Sequence, residues 1–193
     1  MGEKKKMNTQ KKDYQNKIIT IPNLMSAFRL CLIPVFVWLY CVKQNYFWTT
    51  LTLMLSGLTD IVDGIIARKF HMISNLGKIL DPIADKLTQI AMLFCLVSRF
   101  PYMVCPLVVL VAKEFFDGVT GLMVIDKTGK VEGAEWHGKV LTVLLYLMML
   151  VHLIWYDIPT AVSNILILAC VAMMVISLVL YGKYRIQIIR KKK

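Results

Sequence analysis

The sequence has few histidines and cysteines, and none of them form a recognisable site pattern. There are three histidines and five cysteines, and no pair of cysteines has the C-x-x-C spacing. Structural zinc sites and disulfide frameworks are built on short, recurrent cysteine and histidine spacings. Their absence excludes both readings here. The cysteines lie in apolar stretches, where we expect them to be small buried hydrophobic residues.

Acidic residues are also scarce. The 193-residue chain has 12 Asp and Glu against 23 Lys and Arg, which gives a formal net charge of +11. Many of the cations crowd the two ends, in residues 1–17 and 183–193. A basic chain can bind nucleic acid. Here the cations border apolar runs, so we expect anionic membrane lipids as the partner and no nucleic acid.

Apolar residues are abundant. They make up 58% of the chain, and the mean hydropathy is +0.62, whereas a soluble domain is about half apolar. A membrane helix needs about 20 mostly apolar residues. The sequence therefore predicts an all-α integral membrane protein with six transmembrane helices and an N-terminal interfacial segment over residues 17–29. The predicted spans are residues 22–42, 47–67, 80–97, 102–125, 140–156 and 160–181.

The distribution of cations predicts the orientation. The loops after the first, third and fifth spans are short and carry few cations, whereas the other side holds both termini and the basic loops after spans two and four. The positive-inside rule places that basic side in the cytoplasm, and the expected location is a bacterial inner membrane. We expect a basic cytoplasmic tail over residues 1–17, a membrane domain over 18–185, and a basic C-terminal tail over 186–193.

Four aspartates interrupt the second and third predicted spans. Asp60 and Asp63 are three residues apart, and Asp81 and Asp85 are four apart, so each pair shares one face of a helix. An ionised carboxylate within a bilayer costs several kcal/mol unless something compensates it. A short loop joins the two spans, so we expect them to pack antiparallel with all four carboxylates together near the cytoplasmic surface.

Such a cluster needs positive charge, because neighbouring carboxylates repel one another. Arg68 and Lys86 lie nearby, but two monovalent cations cannot neutralise and also organise four carboxylates. Hard divalent ions prefer oxygen ligands. We therefore predict two Mg²⁺ ions, with Mn²⁺ as a possible substitute. Ions about 4 Å apart can clamp a phosphoryl group during displacement.

Small residues accompany the aspartates. Gly64 and Ala67 leave room beside the acidic face for a ligand, and Gly77 permits a close backbone approach. Arg68 offers a fork of donors that suits a diphosphate.

The segment from Asp60 to Asp85 reads D-x2-D-G-x2-A-R-x8-G-x3-D-x3-D. It resembles the signature of the CDP-alcohol phosphotransferase family, with every fixed position filled. The resemblance implies that the substrate is a CDP-activated lipid, CDP-diacylglycerol. In the reaction that it implies, an acceptor hydroxyl attacks the phosphorus that is attached to the lipid, and CMP leaves. The resemblance also implies a homodimer.

The resemblance implies roles for single residues. Asp60, Asp63 and Asp81 match the metal ligands, and Asp85 matches the catalytic base that completes the metal site. The positions that match the CDP-binding residues are Gly64, Ala67, Arg68 and Gly77.

The identity of the acceptor is less constrained. Residues 20–29 resemble the N-terminal segment of both phosphatidylglycerophosphate synthases and cardiolipin synthases. Residues 112–115 resemble a segment of phosphatidylglycerophosphate synthases, with Lys113 in place of the arginine found there. Lys113 and Lys139 are candidates to bind the acceptor, although Lys113 has Asp117 and Glu114 within reach on its own helix. We expect glycerol 3-phosphate as the acceptor. Phosphatidylglycerol is the alternative, and inositol phosphate and serine acceptors are less favoured.

The alternative from another functional class is a divalent-cation transporter, because carboxylates inside a membrane also mark ion pathways. Two features argue against it. The aspartates gather at one membrane face, and Arg68 lies beside them, where it would repel a permeating cation.

Overall fold

Long helices account for nearly all of the described chain. The computed structural model describes residues 21–69, 77–128, 136–155 and 157–191. Over these ranges the prediction of an all-α protein is confirmed. The described ranges contain six α-helices, and a short 3-10 helix, Pro101–Met103, precedes the fourth of them. The helices are α1 (Ile21–Cys41), α2 (Tyr46–Lys69), α3 (Gly77–Val97), α4 (Val104–Thr128), α5 (Trp136–Ile154) and α6 (Thr160–Lys191).

Two of the described helices are long and apolar enough to cross a bilayer by length and composition, namely Asn23–Cys41 within α1 and Thr160–Ile188 within α6. The segment Gly138–Ile154 of α5 is also apolar but shorter. Charged side chains along α2, α3 and α4 lower the hydropathy of those helices. The expected basic tail over residues 1–17 lies outside the described residues, and α6 continues through most of the expected C-terminal tail.

The chain divides into two compact units, Met1–Ala91 and Met92–Lys193. In the first unit, α1 and α2 form a helical hairpin around a tight turn. Gln44 takes the left-handed conformation, with φ of 50°. Asn45 then caps α2, because its side-chain oxygen accepts a hydrogen bond from the backbone N–H of Trp48 at 3.2 Å.

The buried face of α1 changes character along its length. Its first half buries Asn23, Ser26 and Arg29, which follow one another at three-residue spacing. Its second half buries apolar and aromatic side chains, of which Phe36 is fully enclosed. Buried polar groups need hydrogen-bonding partners, so the first half of α1 is suited to facing other polar groups and the second half to packing.

In the second unit, α6 packs along both α4 and α5. A buried histidine ties α5 to α6. The Nδ1 atom of His152 lies 2.7 Å from the Met148 carbonyl oxygen, and its Nε2 atom lies 2.9 Å from the Ser163 hydroxyl. A carbonyl oxygen only accepts, so Nδ1 carries the proton and Nε2 accepts from Ser163.

Candidate functional site

The first pair of predicted site aspartates lies in the C-terminal half of α2. Asp60 and Asp63 are part of this helix, as the sequence predicts, and so share one of its faces. Their side chains lie outside the described part of the structure. The surroundings of Gly64 and the side chains of Ala67 and Arg68 also lie outside it, so the convergence of all four aspartates stays a prediction.

The second pair lies in the first turns of α3, and both of its carboxylates accept hydrogen bonds from buried side chains. The Ser26 hydroxyl of α1 donates to Oδ1 of Asp81. The Gln89 amide donates to Oδ2 of Asp85 across 2.9 Å, one turn further along α3. Ser26 and Gln89 are both 0% exposed. These donors fix the orientation of the two carboxylates.

Sequence reasoning missed Ser26 and Gln89 as contributors to the site. A signal for them exists in the sequence. Ser26 lies midway between Asn23 and Arg29 at helical spacing in an apolar span, and Gln89 follows Asp85 by four residues in another. Polar residues within apolar helices are costly to bury and are therefore candidates for a functional role.

Gly77, another predicted site residue, is the first residue of α3 and is buried. It lies one turn before Asp81, and Lys86 lies one residue after Asp85, with its Nζ atom 4.0 Å from Oδ2 of Asp85. The N-terminal part of α3 therefore combines two carboxylates, a cation and a small residue.

The carboxylates of α3 are suitable ligands for a hard divalent cation. Carboxylate oxygens are the ligands that Mg²⁺ and Mn²⁺ prefer, and donors such as Ser26 and Gln89 orient carboxylates in metal sites. Among the side chains that the structure describes, no three acidic, histidine or cysteine residues are grouped to hold a metal. The remaining ligands would come from Asp60 and Asp63 on α2.

A second polar cluster lies in the other unit, around the predicted acceptor-binding residue Lys113. Lys113 is on α4 and is only 5% exposed. Its Nζ atom lies 2.7 Å from Oδ2 of Asp117 and 3.3 Å from Oε1 of Glu114. The lysine is therefore held by carboxylates of its own helix, and its charge is compensated within the unit.

Arg185 of α6 completes this cluster. Its Nη1 atom donates to Oδ1 of Asp117 at 3.1 Å, to the Asp117 carbonyl oxygen at 2.7 Å and to the Thr120 hydroxyl at 2.8 Å. The Asp117 carboxylate thus lies between two cations, with one oxygen facing each. Sequence reasoning missed Arg185, which it counted among the terminal cations.

Tyr181 packs against the same cations. Its ring centre lies 5.8 Å from Nζ of Lys113 and 5.2 Å from the guanidinium carbon of Arg185, within the range of cation–π attraction. Gly138 of α5 approaches this ring so closely that an added Cβ would lie 2.8 Å from the tyrosine hydroxyl. Lys139, the other predicted acceptor-binding residue, is the next residue along and is exposed.

Comparison with known proteins identifies the family. The family model for CDP-alcohol phosphatidyltransferase matches residues 19–180, which include both polar clusters except for Tyr181 and Arg185. Members of this family generally use divalent metal ions.

Bacterial proteins with names of two kinds are among the curated relatives. A cardiolipin synthase (CMP-forming) of Streptomyces coelicolor is 38% identical over 104 residues, which are 51% of this chain and 48% of that protein. A CDP-diacylglycerol–glycerol-3-phosphate 3-phosphatidyltransferase of Bacillus subtilis is 32% identical over 142 residues, which are 65% of this chain and 72% of that protein. A Rickettsia bellii protein of the same name is 33% identical over 53% of this chain and 56% of its own length. The chain spans about half the length of the first of these relatives.

Proposed function

We propose, from the fact that this chain belongs to the CDP-alcohol phosphatidyltransferase family, that it moves a phosphatidyl group from CDP-diacylglycerol to an alcohol acceptor and releases CMP. The observation that carries the proposal is the pair Asp81 and Asp85. They lie one turn apart on α3, and a buried donor holds each carboxylate. This arrangement suits chemistry at phosphorus, in which charge must be positioned and a proton removed.

In the proposed reaction, the acceptor oxygen forms a bond to the lipid-bearing phosphorus, and the bond from that phosphorus to the bridging oxygen breaks, so that CMP leaves. Asp85 accepts the hydroxyl proton, and the hydrogen bond from Gln89 keeps its carboxylate turned in one direction. Asp60, Asp63, Asp81 and Asp85 would hold two Mg²⁺ ions, or Mn²⁺ in their place. When bound, these ions neutralise the negative charge of the diphosphate.

The CDP group would lie against α2 and the start of α3. Gly64, Ala67 and Gly77 leave room for it, and Arg68 would bind the diphosphate with its fork of N–H donors.

The proposed enzyme resides in a bacterial inner membrane, with six spans, an interfacial N-terminal segment, and both termini and the site on the cytoplasmic side. Large apolar side chains exposed on the described helices support lipid contact, since soluble proteins rarely expose contiguous apolar surface on this scale. Examples are Val108, Phe115, Leu122 and Leu168. A homodimer, as the family resemblance implies, is part of the proposal.

The proposed acceptor is either glycerol 3-phosphate, which the sequence led us to expect, or phosphatidylglycerol. Lys113 and Lys139 are the proposed acceptor-binding residues. The burial of Lys113 among polar side chains, rather than against lipid, supports a role in a site. The two acceptors differ in charge, because a phosphate monoester carries nearly two negative charges and a diester carries one.

The test of the proposed function is CMP release by the purified full-length protein in mixed micelles that contain CDP-diacylglycerol. We expect release that requires both Mg²⁺ and an acceptor alcohol. A protein that binds divalent ions, carries them across a vesicle membrane and releases no CMP would instead be the transporter.

Replacing Gln89 by methionine is expected to lower kcat by about tenfold and to leave the KM for CDP-diacylglycerol unchanged. Methionine keeps the size of the buried side chain but removes the hydrogen bond that orients Asp85, and a hydrogen bond to a charged group contributes about 1.5–3 kcal/mol. Steady-state CMP release measures both constants. Gln187→Met, on an exposed position of α6, is the matched control, and an unchanged kcat in Gln89→Met would refute the positioning role.

Replacing Lys113 by alanine is expected to raise the acceptor KM by about tenfold, because a charge-assisted donor is lost next to the anionic acceptor. The KM for CDP-diacylglycerol should not change. Lys183→Ala removes an exposed lysine of α6 and serves as the control. An unchanged KM for every phosphorylated acceptor would remove Lys113 from the acceptor site.

A further inference from the structure

Among the side chains that the structure describes, the cluster around Lys113 is balanced in charge. Two cations, Lys113 and Arg185, face two carboxylates, Glu114 and Asp117. These four side chains together carry no net charge. The cluster is also largely shielded from water, since the side chains of Lys113, Asp117 and Arg185 are 6%, 14% and 14% exposed. Charges in such surroundings are screened much less than charges at a protein surface.

The Asp117 carboxylate contacts both cations of the cluster. Its Oδ2 atom faces Lys113 at 2.7 Å and its Oδ1 atom faces Arg185 at 3.1 Å, so one carboxylate occupies the space between the two cations. Two cations on neighbouring helices, with an aromatic ring beside them, would otherwise form a receptor for a doubly charged phosphate. Asp117 supplies the anion from within the protein.

We infer that Asp117 determines acceptor specificity by making this site discriminate against phosphate monoesters and accept alcohols of lower charge, such as the glycerol headgroup of a phosphodiester lipid. The inference rests on the proposed function, which assigns the acceptor to Lys113. A dianionic acceptor would have to displace the Asp117 carboxylate or lie beside it, and like charges in close contact are strongly unfavourable. A singly charged diester with a neutral glycerol end meets less repulsion. The inference therefore favours phosphatidylglycerol over glycerol 3-phosphate.

The test compares two acceptors in wild-type protein and in Asp117→Asn. Asparagine keeps the size of the side chain and removes its charge. CMP release is measured with CDP-diacylglycerol and Mg²⁺ while either glycerol 3-phosphate or phosphatidylglycerol in mixed micelles is varied. We expect kcat/KM for glycerol 3-phosphate to rise about tenfold or more in the variant, and kcat/KM for phosphatidylglycerol to change by less than about threefold.

Two further variants distinguish the effect of the charge at position 117 from a general structural effect of the substitution. Asp117→Glu keeps the charge and should keep the wild-type ratio of the two kcat/KM values. Asp126→Asn removes an exposed carboxylate of the same helix and should leave the ratio unchanged. A ratio that stays the same in folded Asp117→Asn overturns the inference, as does a shift of equal size in Asp126→Asn.

If Asp117→Asn does not fold, Arg185→Gln decides the question. This variant removes a cation and makes the cluster negative, so kcat/KM should fall further for glycerol 3-phosphate than for phosphatidylglycerol. Equal falls for both acceptors overturn the inference. Wild-type protein that releases no CMP with either acceptor overturns the proposed function itself, whereas normal turnover with an unshifted ratio overturns only the role of Asp117.

Discussion

Asp85→Asn is expected to release CMP about 10²- to 10⁴-fold more slowly than wild-type protein, which is the usual contribution of a positioned general base. Asparagine has the same shape as aspartate, and its amide oxygen can still accept the hydrogen bond from Gln89. What it loses is the negative charge and with it the ability to take the proton of the acceptor hydroxyl, while Asp60, Asp63 and Asp81 would still hold the metal ions. The binding of CDP-diacylglycerol, measured by equilibrium binding of a labelled lipid, should change little.

The comparison needs a matched acidic residue outside the site. Asp157 lies in the turn between α5 and α6 and is exposed, so Asp157→Asn should behave as wild type in both measurements. An Asp85→Asn protein that loses lipid binding in proportion to its activity would show that Asp85 holds the substrate or the fold rather than acting as the base.

Asp60→Ala is expected to abolish both CMP release and its stimulation by Mg²⁺. Asp60 lies on α2, three residues before Asp63, and its removal would take away an oxygen ligand on which the proposed two-ion site depends. Activity is measured across a range of Mg²⁺ concentrations, and calorimetric titration with Mn²⁺ reports metal binding independently of turnover.

Thr59→Ala is a fitting control for this variant. Thr59 precedes Asp60, and its hydroxyl donates to the Ser56 carbonyl of its own helix, so it should retain metal stimulation. An Asp60→Ala protein with a normal response to Mg²⁺, or with unchanged Mn²⁺ binding, would contradict the ligand role.

The helices were predictable from sequence because each is a long stretch of mostly apolar residues that a short connection ends, even where charged side chains interrupt it. The second predicted span, residues 47–67, agrees closely with Tyr46–Lys69, and the first agrees equally well. The end of the last helix was not predicted. α6 continues beyond residue 181 to Lys191, because the hydropathy that defines a span falls where Lys183 and Arg185 begin, although such residues are good helix formers.

The placement of the four aspartates on α2 and α3 was predictable as well, because carboxylates within apolar helices stand out against their surroundings. The side chains that hold them were not. Ser26 and Asp81 are 55 residues apart, and Asp117 and Arg185 are 68 apart. Which helices approach one another, and at what register, depends on packing that a local pattern does not encode. Gln89 is a different case, since only four residues separate it from Asp85, and its helical spacing made the contact available to sequence reasoning.

The bond between Ser26 and Asp81 also sets an order of events during biosynthesis. The serine leaves the ribosome 55 residues ahead of its acceptor, which at 5–20 residues per second is a delay of about 3–11 s. Throughout that interval the Ser26 hydroxyl lacks its acceptor on the third helix, while the segment Asn23–Cys41 already has the length and composition to enter a bilayer. The nascent chain therefore completes its first apolar helix before the orientation of the Asp81 carboxylate is fixed.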